Sequence, residues 1–157
     1  MEFYNLKKPL FAQVATISQN QTHIRTMMLY GFNQNEKLIF LSRTDTQKIF
    51  DIRINQAISL LIYEPNVSQI IGEGKASIKT VLTNREETEH YWNLMPANIQ
   101  MIYSASHELN ELFGVIEICI HHWEYLVLHS ENYTKSERIR CYLTDKNSWQ
   151  EERLTAI

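Results

Sequence analysis

The sequence predicts a mainly β protein, with six or seven antiparallel strands closed into a barrel and two or three short helices on its outside. Three observations lead there. Extended runs over residues 12–76 alternate with polar breakers such as Gln19-Asn20-Gln21 and Glu64-Pro65-Asn66, the pattern of successive antiparallel hairpins. The runs are apolar on both faces: over residues 22–32 one face carries Ile24, Thr26, Met28, Tyr30 and Phe32 and the other Arg25, Met27 and Leu29. A strand apolar on both sides needs cover on both sides, as in a barrel wall that also packs against a helix or a second subunit. Finally, four glycines and three prolines leave no linker, and no repeat or low-complexity tract divides the chain, so residues 1–157 are expected to form a single domain.

Taken in order, residues 13–18 and 22–32 read as the first hairpin and 37–42 as a third strand. Thr44-Asp45-Thr46 then opens a helix running to about Asn55. Residues 57–63 and 69–78 form another hairpin, in which Gly72 and Gly74 share a face and permit a bulge, a bend or the close approach of another group. Thr83-Asn84-Arg85-Glu86 has the capping-box form and starts a helix through about Trp92. A short helical piece follows over 97–104. Strands return over 112–121, 123–129 and 139–143.

Composition bounds the function. At 157 residues and 44 % hydrophobic content the chain can bury roughly 70 % of the surface its unfolded form exposes. A net charge of −3 provides no general attraction to nucleic acid or to anionic membranes, so any anion site must be local. Cys119 and Cys141 are the two cysteines and lack metal-type spacing, which suits a reducing cytoplasm. No apolar run of signal-peptide length follows Lys7-Lys8-Pro9, and no stretch approaches the ~20 apolar residues of a membrane span. A soluble cytoplasmic protein is expected.

The strongest chemical signal is Lys48. Unpaired N–H groups give the first turn of a helix partial positive charge, so a lysine there is a local conflict that an external anion, most simply a phosphate, would resolve. Arg25, on the strand face opposite Ile24 and Thr26, can clamp a phosphate through two parallel hydrogen bonds, or instead pair with an acidic neighbour on the adjacent strand. Other chemistry finds little support. His121 and His122 are adjacent on a strand and point to opposite faces, and neither they nor His129 have companion ligands at metal spacing, so no metal site is expected. Tyr91, Trp92, Tyr103 and Trp123 have no basic stripe beside them and read as core or subunit interface. No Ser-His-Asp set, Gly-rich phosphate loop or redox cysteine pair is recognisable.

Arg25-Thr26-Met27-Met28-Leu29-Tyr30, Leu41-Ser42, Lys48 and the later Gln69 resemble the flavin mononucleotide (FMN) segments of the pyridoxamine 5'-phosphate oxidase-like family, the FMN-binding split barrels. The resemblance covers residues 12–78 well and a tail over 138–154 more loosely. It implies a split barrel that dimerises so that each FMN lies in a cleft between subunits. Arg25, Ser42 and Lys48 would then hold the flavin phosphate, the main chain of Met27 and Met28 would line the ring, Gln69 would hydrogen-bond it, and Thr26 and Leu41 would belong to the same cofactor-binding set. Arg138 matches a family arginine across a gap, and Ser104 to Ser106 would reach the site from the partner chain.

The departures are as informative. The lysine that contacts substrate in the vitamin-forming oxidases is replaced by Tyr30. Of the tyrosine, arginine and serine that hold the substrate phosphate, Tyr91 matches the first, while Met95 and Ile99 stand in place of the others. The flavin-contacting tryptophan falls near Leu128 or His129. The resemblance thus implies an FMN-dependent oxidoreductase acting on a small molecule other than pyridoxamine phosphate, and no side chain presents itself as a catalytic acid or base. Two other readings stay open: a module that holds or senses flavin without turnover, and a relative binding haem or a deazaflavin on the same scaffold.

Overall fold

The computed structural model describes residues 10–64, 68–127 and 135–155. Six strands follow in the order β1 (Leu10–Ser18), β2 (Gln21–Phe32), β3 (Leu38–Arg43), β4 (Ala57–Glu64), β5 (Ser68–Thr80) and β6 (Phe113–Val127). They hydrogen-bond in the order β3-β2-β1-β4-β5-β6, all antiparallel, and β6 returns to β3 from Arg43↔Phe113 to Leu38↔Ile118. The sheet therefore closes into a six-stranded barrel with no free edge along that seam. Past the seam, β7 (Glu137–Leu143) and β8 (Trp149–Thr155) continue the sheet from the second half of β6. This is the split-barrel architecture that the sequence predicts.

Two local expectations are corrected. The strands expected over 112–121 and from 123 onward are one continuous β6. The extra residue is absorbed by a bulge, because Gly74 pairs with Ile120 while Glu73 pairs with His122 and His121 is left over. Glycine is required at that point, since a Cβ on residue 74 would press into the Cys119 carbonyl. Residues 149–155 form an additional strand, β8. As an outer strand carrying Gln150, Glu151, Glu152 and Arg153 it lacks the apolar alternation by which strands are recognised. Leu128, His129, Pro65 and Asn66 lie outside the described residues.

Strand alternation builds two cores. Val14, Met27, Leu29, Phe40, Leu60, Ile116 and their neighbours point into the barrel, and Ile49 and Ile52 of helix α1 (Gln47–Ile54) close one end of it. Outside the barrel, Ile39, Phe113 and Val115 pack under α2 (Arg85–Leu94) and α3 (Ala97–Gln100) against Tyr91, Trp92, Met95 and Tyr103. Of the large apolar side chains over 91–103 and 112–121, Tyr91, Trp92, Met95, Tyr103, Phe113, Val115, Ile116, Ile118 and Ile120 are buried within the chain, while Leu94, Met101 and Ile102 stay 56, 58 and 55 % exposed. A further open apolar surface lies on the outer face of β1, β2 and β4, where Phe11, Ile24, Met28 and Tyr63 are 54, 68, 48 and 62 % exposed. Helix α2 is capped one residue later than expected, by Asn84 accepting from the Glu87 N–H, because Thr83 is engaged in the preceding turn with Thr80. Among the described residues no helix is long and apolar enough to cross a membrane.

Candidate functional site

Helix α1 begins beside the end of β3 and presents an uncapped N-terminus. Its N-cap, Thr46, turns its hydroxyl back to the Arg43 carbonyl at 2.9 Å instead of capping the helix, and no acidic residue occupies the first turn. Lys48 lies in that turn. Its ammonium donates to the hydroxyls of Ser42 (3.1 Å) and Thr46 (3.3 Å), and among the described residues no carboxylate forms an ion pair with it. Burial, followed by the nearby Arg25 charge, pushes the Lys48 ammonium below the usual lysine range, with Asp45 acting weakly the other way. Two cations therefore share one field, with two hydroxyls and free helix N–H groups around them. That arrangement is suited to an oxyanion with several acceptor atoms.

Arg25 points inward from β2 beneath α1. Its guanidinium donates to Thr16 Oγ1 at 3.0 Å and to Asp51 Oδ2 at 3.2 Å. The ion-pair reading of Arg25 thus holds in part, with the acid on helix α1 and not on the adjacent strand. Asp51 is fully buried and is the hub of this end of the barrel: Thr16 and Ser18 of β1, His23 and Arg25 of β2 and Gln47 of α1 all reach it. Burial alone would raise its carboxyl. The hydrogen bonds from Gln47, Ser18, Thr16 and His23 outweigh burial and hold it well below the usual carboxylate range. Asp51 consumes part of the Arg25 charge while fixing where the rest is presented.

The remaining predicted residues divide by strand parity. Thr26 and Met28 face outward from β2, with Thr26 accepting from Gln13 at 2.8 Å, while Met27 is buried in the barrel. Leu41 packs against the outer core and Ser42 is buried beside Lys48. Gln69 is on the outer face of β5, paired with Tyr63 on one side and Leu126 on the other, and Leu126 pairs with Arg138. Ser42 pairs with Gly114 of β6, which pairs with Thr80 of β5, whereas Gln69 lies eleven residues back along β5, roughly 36 Å of strand, in the row that leads through Leu126 to Arg138. Within one chain, Gln69 and Arg138 therefore do not join Arg25, Ser42 and Lys48. Arg138 stands 3.2 Å from Glu124, which also receives Arg140 at 2.9 Å. Thr46, Asp51 and Arg140 were not singled out in the sequence. The Thr44-Asp45-Thr46 helix start could have flagged Thr46, whereas the role of Asp51 depends on which strands its helix covers.

The region that would hold a phosphorylated substrate is built differently from what such a substrate needs. Tyr30 and Tyr91 meet edge to face at 5.7 Å, Met95 is buried in the outer core, and Ile99 packs against that core. The adjoining cavity of about 580 Å³ is lined by Tyr30, Lys37, Lys79, Glu87, Tyr91 and Glu117. Its two lysines are already matched, since Glu117 pairs with Lys37 (2.6 Å) and Lys79 (2.9 Å) and Glu87 with Lys79 (2.6 Å). Burial opposes ionisation of Glu117, and the two lysines outweigh it and hold its carboxyl below the usual range. Ser104 is buried and its hydroxyl lies 3.1 Å from that of Ser106. Among the described residues no group of three or more His, Cys, Asp or Glu side chains converges as metal ligands would.

A split barrel whose capping helix offers an open N-terminus, a lysine and an arginine to an anion defines the structural class. The pyridoxamine 5'-phosphate oxidase family profile matches residues 2–127, and the chain belongs to that family. Among solved structures, a pyridoxamine 5'-phosphate oxidase-related, FMN-binding protein of Nostoc punctiforme superposes with a TM-score of 0.81 at 17 % identity, covering 92 % of this chain and 86 % of that one. PhzG from Burkholderia lata, solved with tetrahydrophenazine-1-carboxylic acid, gives 0.76 at 18 %, covering 92 and 81 %. A pyridoxamine 5'-phosphate oxidase-like protein of Listeria innocua gives 0.57 at 20 %, covering 73 and 86 %. At these identities the likeness is one of fold. No curated protein matches the sequence significantly.

Proposed function

We propose that the protein is an FMN-dependent oxidoreductase that works as a homodimer on a small molecule lacking a phosphate dianion. The observation that carries this reading is Lys48, a partly buried cation in an uncapped helix turn whose neighbours are hydroxyls and a second cation. Arg25, Ser42, Thr46, Lys48 and the first N–H groups of α1 fit a terminal phosphate in charge, hydrogen-bonding capacity and placement. FMN, when bound, supplies the electron transfer. The chain's residues would hold the phosphate, keep the ring against the main chain of Met27 and Met28, and exclude water through the apolar face around Met28.

The dimer is supported by two features. Gln69 and Arg138 lie too far along the strands to meet their own chain's Lys48 cluster, and the exposed Phe11, Met28 and Tyr63 form an apolar patch beside Gln69, with Ile24 further along the same face of β2. A two-fold contact over that face covers it and brings the Gln69 and Arg138 side of one subunit toward the phosphate cluster of the other. The balanced charges around Lys79 and Glu117 support a substrate without net negative charge.

The experiment is spectroscopic and then kinetic. Protein purified from cells should be yellow with flavin absorption bands. The bound flavin should be bleached by a nicotinamide cofactor and recover with an electron acceptor. Flavin that binds but is never reduced and reoxidised at a useful rate would favour a sensing module. A haem spectrum, or deazaflavin in place of FMN, would replace the cofactor assignment.

A further inference from the structure

We propose a second small-molecule site, separate from the Lys48 cluster: an aromatic bowl at the split of the barrel, suited to a planar aromatic molecule without negative charge. The bowl arises because β6 changes partners. It pairs with β3 only as far as Ile118 and with β7 only from His122, so near the bulge at His121 the turn between β2 and β3 stands apart from the β7–β8 hairpin. The gap is a cavity of about 550 Å³, within the range that holds compact organic ligands.

Its walls are aromatic and its floor is the top of the barrel core. Phe32, Trp123 and Tyr125 line it and pack against that core, while Leu143 and Trp149 of the hairpin face them. Trp123 and Tyr125 are near-parallel, with ring centroids 6.4 Å apart and 28° between planes. Gly72 makes this possible, because a Cβ there would lie 2.7 Å from the Trp123 ring. The absent side chain lets the indole lie flat across β5 and present its free face to the cavity. Burial pushes the Tyr125 phenol up to about 12, so that it stays a neutral hydrogen-bond donor.

Strand parity separates this site from the proposed cofactor face. Gly72, Trp123 and Cys141 share one row and one face, whereas Gln69, Glu124, Arg138 and Arg140 occupy the other. The preference against anions comes from the rim. Lys37 is spent on Glu117 at 2.6 Å, while Glu36 is held at the cavity edge by a left-handed backbone (φ 59°) in a turn closed by Asn33. Glu151 lies near enough to Cys141 to help raise its thiol, after burial. Glu151 is itself offset by Arg153 at 2.7 Å, so among the described residues lining the cavity Glu36 is the charge without an ion partner.

The two cysteines both line the bowl and supply a readout independent of activity. The FMN-loaded protein is titrated calorimetrically with 2-naphthol, and thiol modification by a disulfide reagent is timed with and without it. Half-saturation is expected at roughly 0.1–1 mM, together with slowed modification of Cys141. Trp149→Ala, at an exposed side chain whose loss leaves the core intact, should weaken binding about tenfold. Naphthalene-2-sulfonate should bind more weakly than 2-naphthol. Absence of 2-naphthol binding, binding that leaves both thiols unprotected, an unchanged affinity in Trp149→Ala, or tighter binding of the sulfonate would each overturn the assignment.

Discussion

Arg25 donates to the buried carboxylate of Asp51 at 3.2 Å, and through that one contact a β2 side chain is tied to the helix that closes the barrel. Asp51 takes hydrogen bonds from β1, β2 and α1, so it sets the position of Arg25 relative to Lys48. The same residue thus links the stability of the barrel end to the shape of the anion site.

This linkage gives a pH dependence. The Asp51 carboxyl lies below its unfolded value of about 3.9, so its stabilisation is complete above that pH and is lost as pH falls through the lower folded value. Asp51→Asn should cost about 2–4 kcal/mol at neutral pH and flatten the acid limb of the stability profile. Urea unfolding at pH 7 and at about pH 2.5, below the unfolded carboxyl value, measures both. A variant with wild-type stability and an unchanged acid limb would contradict the role given to Asp51.

The second expectation concerns chemistry. With Met95 and Ile99 in or against the outer core and both cavity lysines matched by glutamates, a phosphorylated pyridoxamine finds no counter-charge. Flavin-loaded protein should form no pyridoxal phosphate. Turnover at about 1 per second or faster would show the departures at Tyr30, Met95 and Ile99 to be immaterial.

The third concerns assembly. Met28→Glu places a charge at the centre of the exposed apolar face without touching either core. The wild type should sediment as a dimer at micromolar concentration and the variant as a monomer with impaired FMN binding, since a ligand that binds only the assembled form stabilises it. A monomeric variant that still holds one FMN per chain would rule out a shared site.

Much of the barrel was legible in the sequence because breakers and doubly apolar strands are local signals. The hairpin around Gln19-Asn20, the helix start at Thr44-Asp45-Thr46 and the special role of Gly72 and Gly74 all follow from short stretches of chain. What could not be read depends on partners far apart in sequence. Asp51 meets Thr16, Ser18 and His23 only once α1 has settled on the barrel end. The apolar excess around Tyr91 and Val115 points equally to a subunit interface or to a second core until the helices are placed. β8 is hidden by its polar sequence. Lys48 was visible because the conflict between its charge and its helix turn is contained in four residues.

The central claim is that the N-terminal turn of α1 holds the FMN phosphate, and Lys48→Ala tests it most directly because Lys48 is partly exposed and makes no contact on which a core depends. Fluorimetric titration of the apoprotein with FMN should give one site per chain. The substitution should weaken it about ten- to a hundredfold, corresponding to roughly 1.5–3 kcal/mol for one charge-assisted contact, with the melting temperature of the apoprotein unchanged. An equal FMN affinity in the folded variant, or a wild-type protein that binds no FMN, would contradict the account.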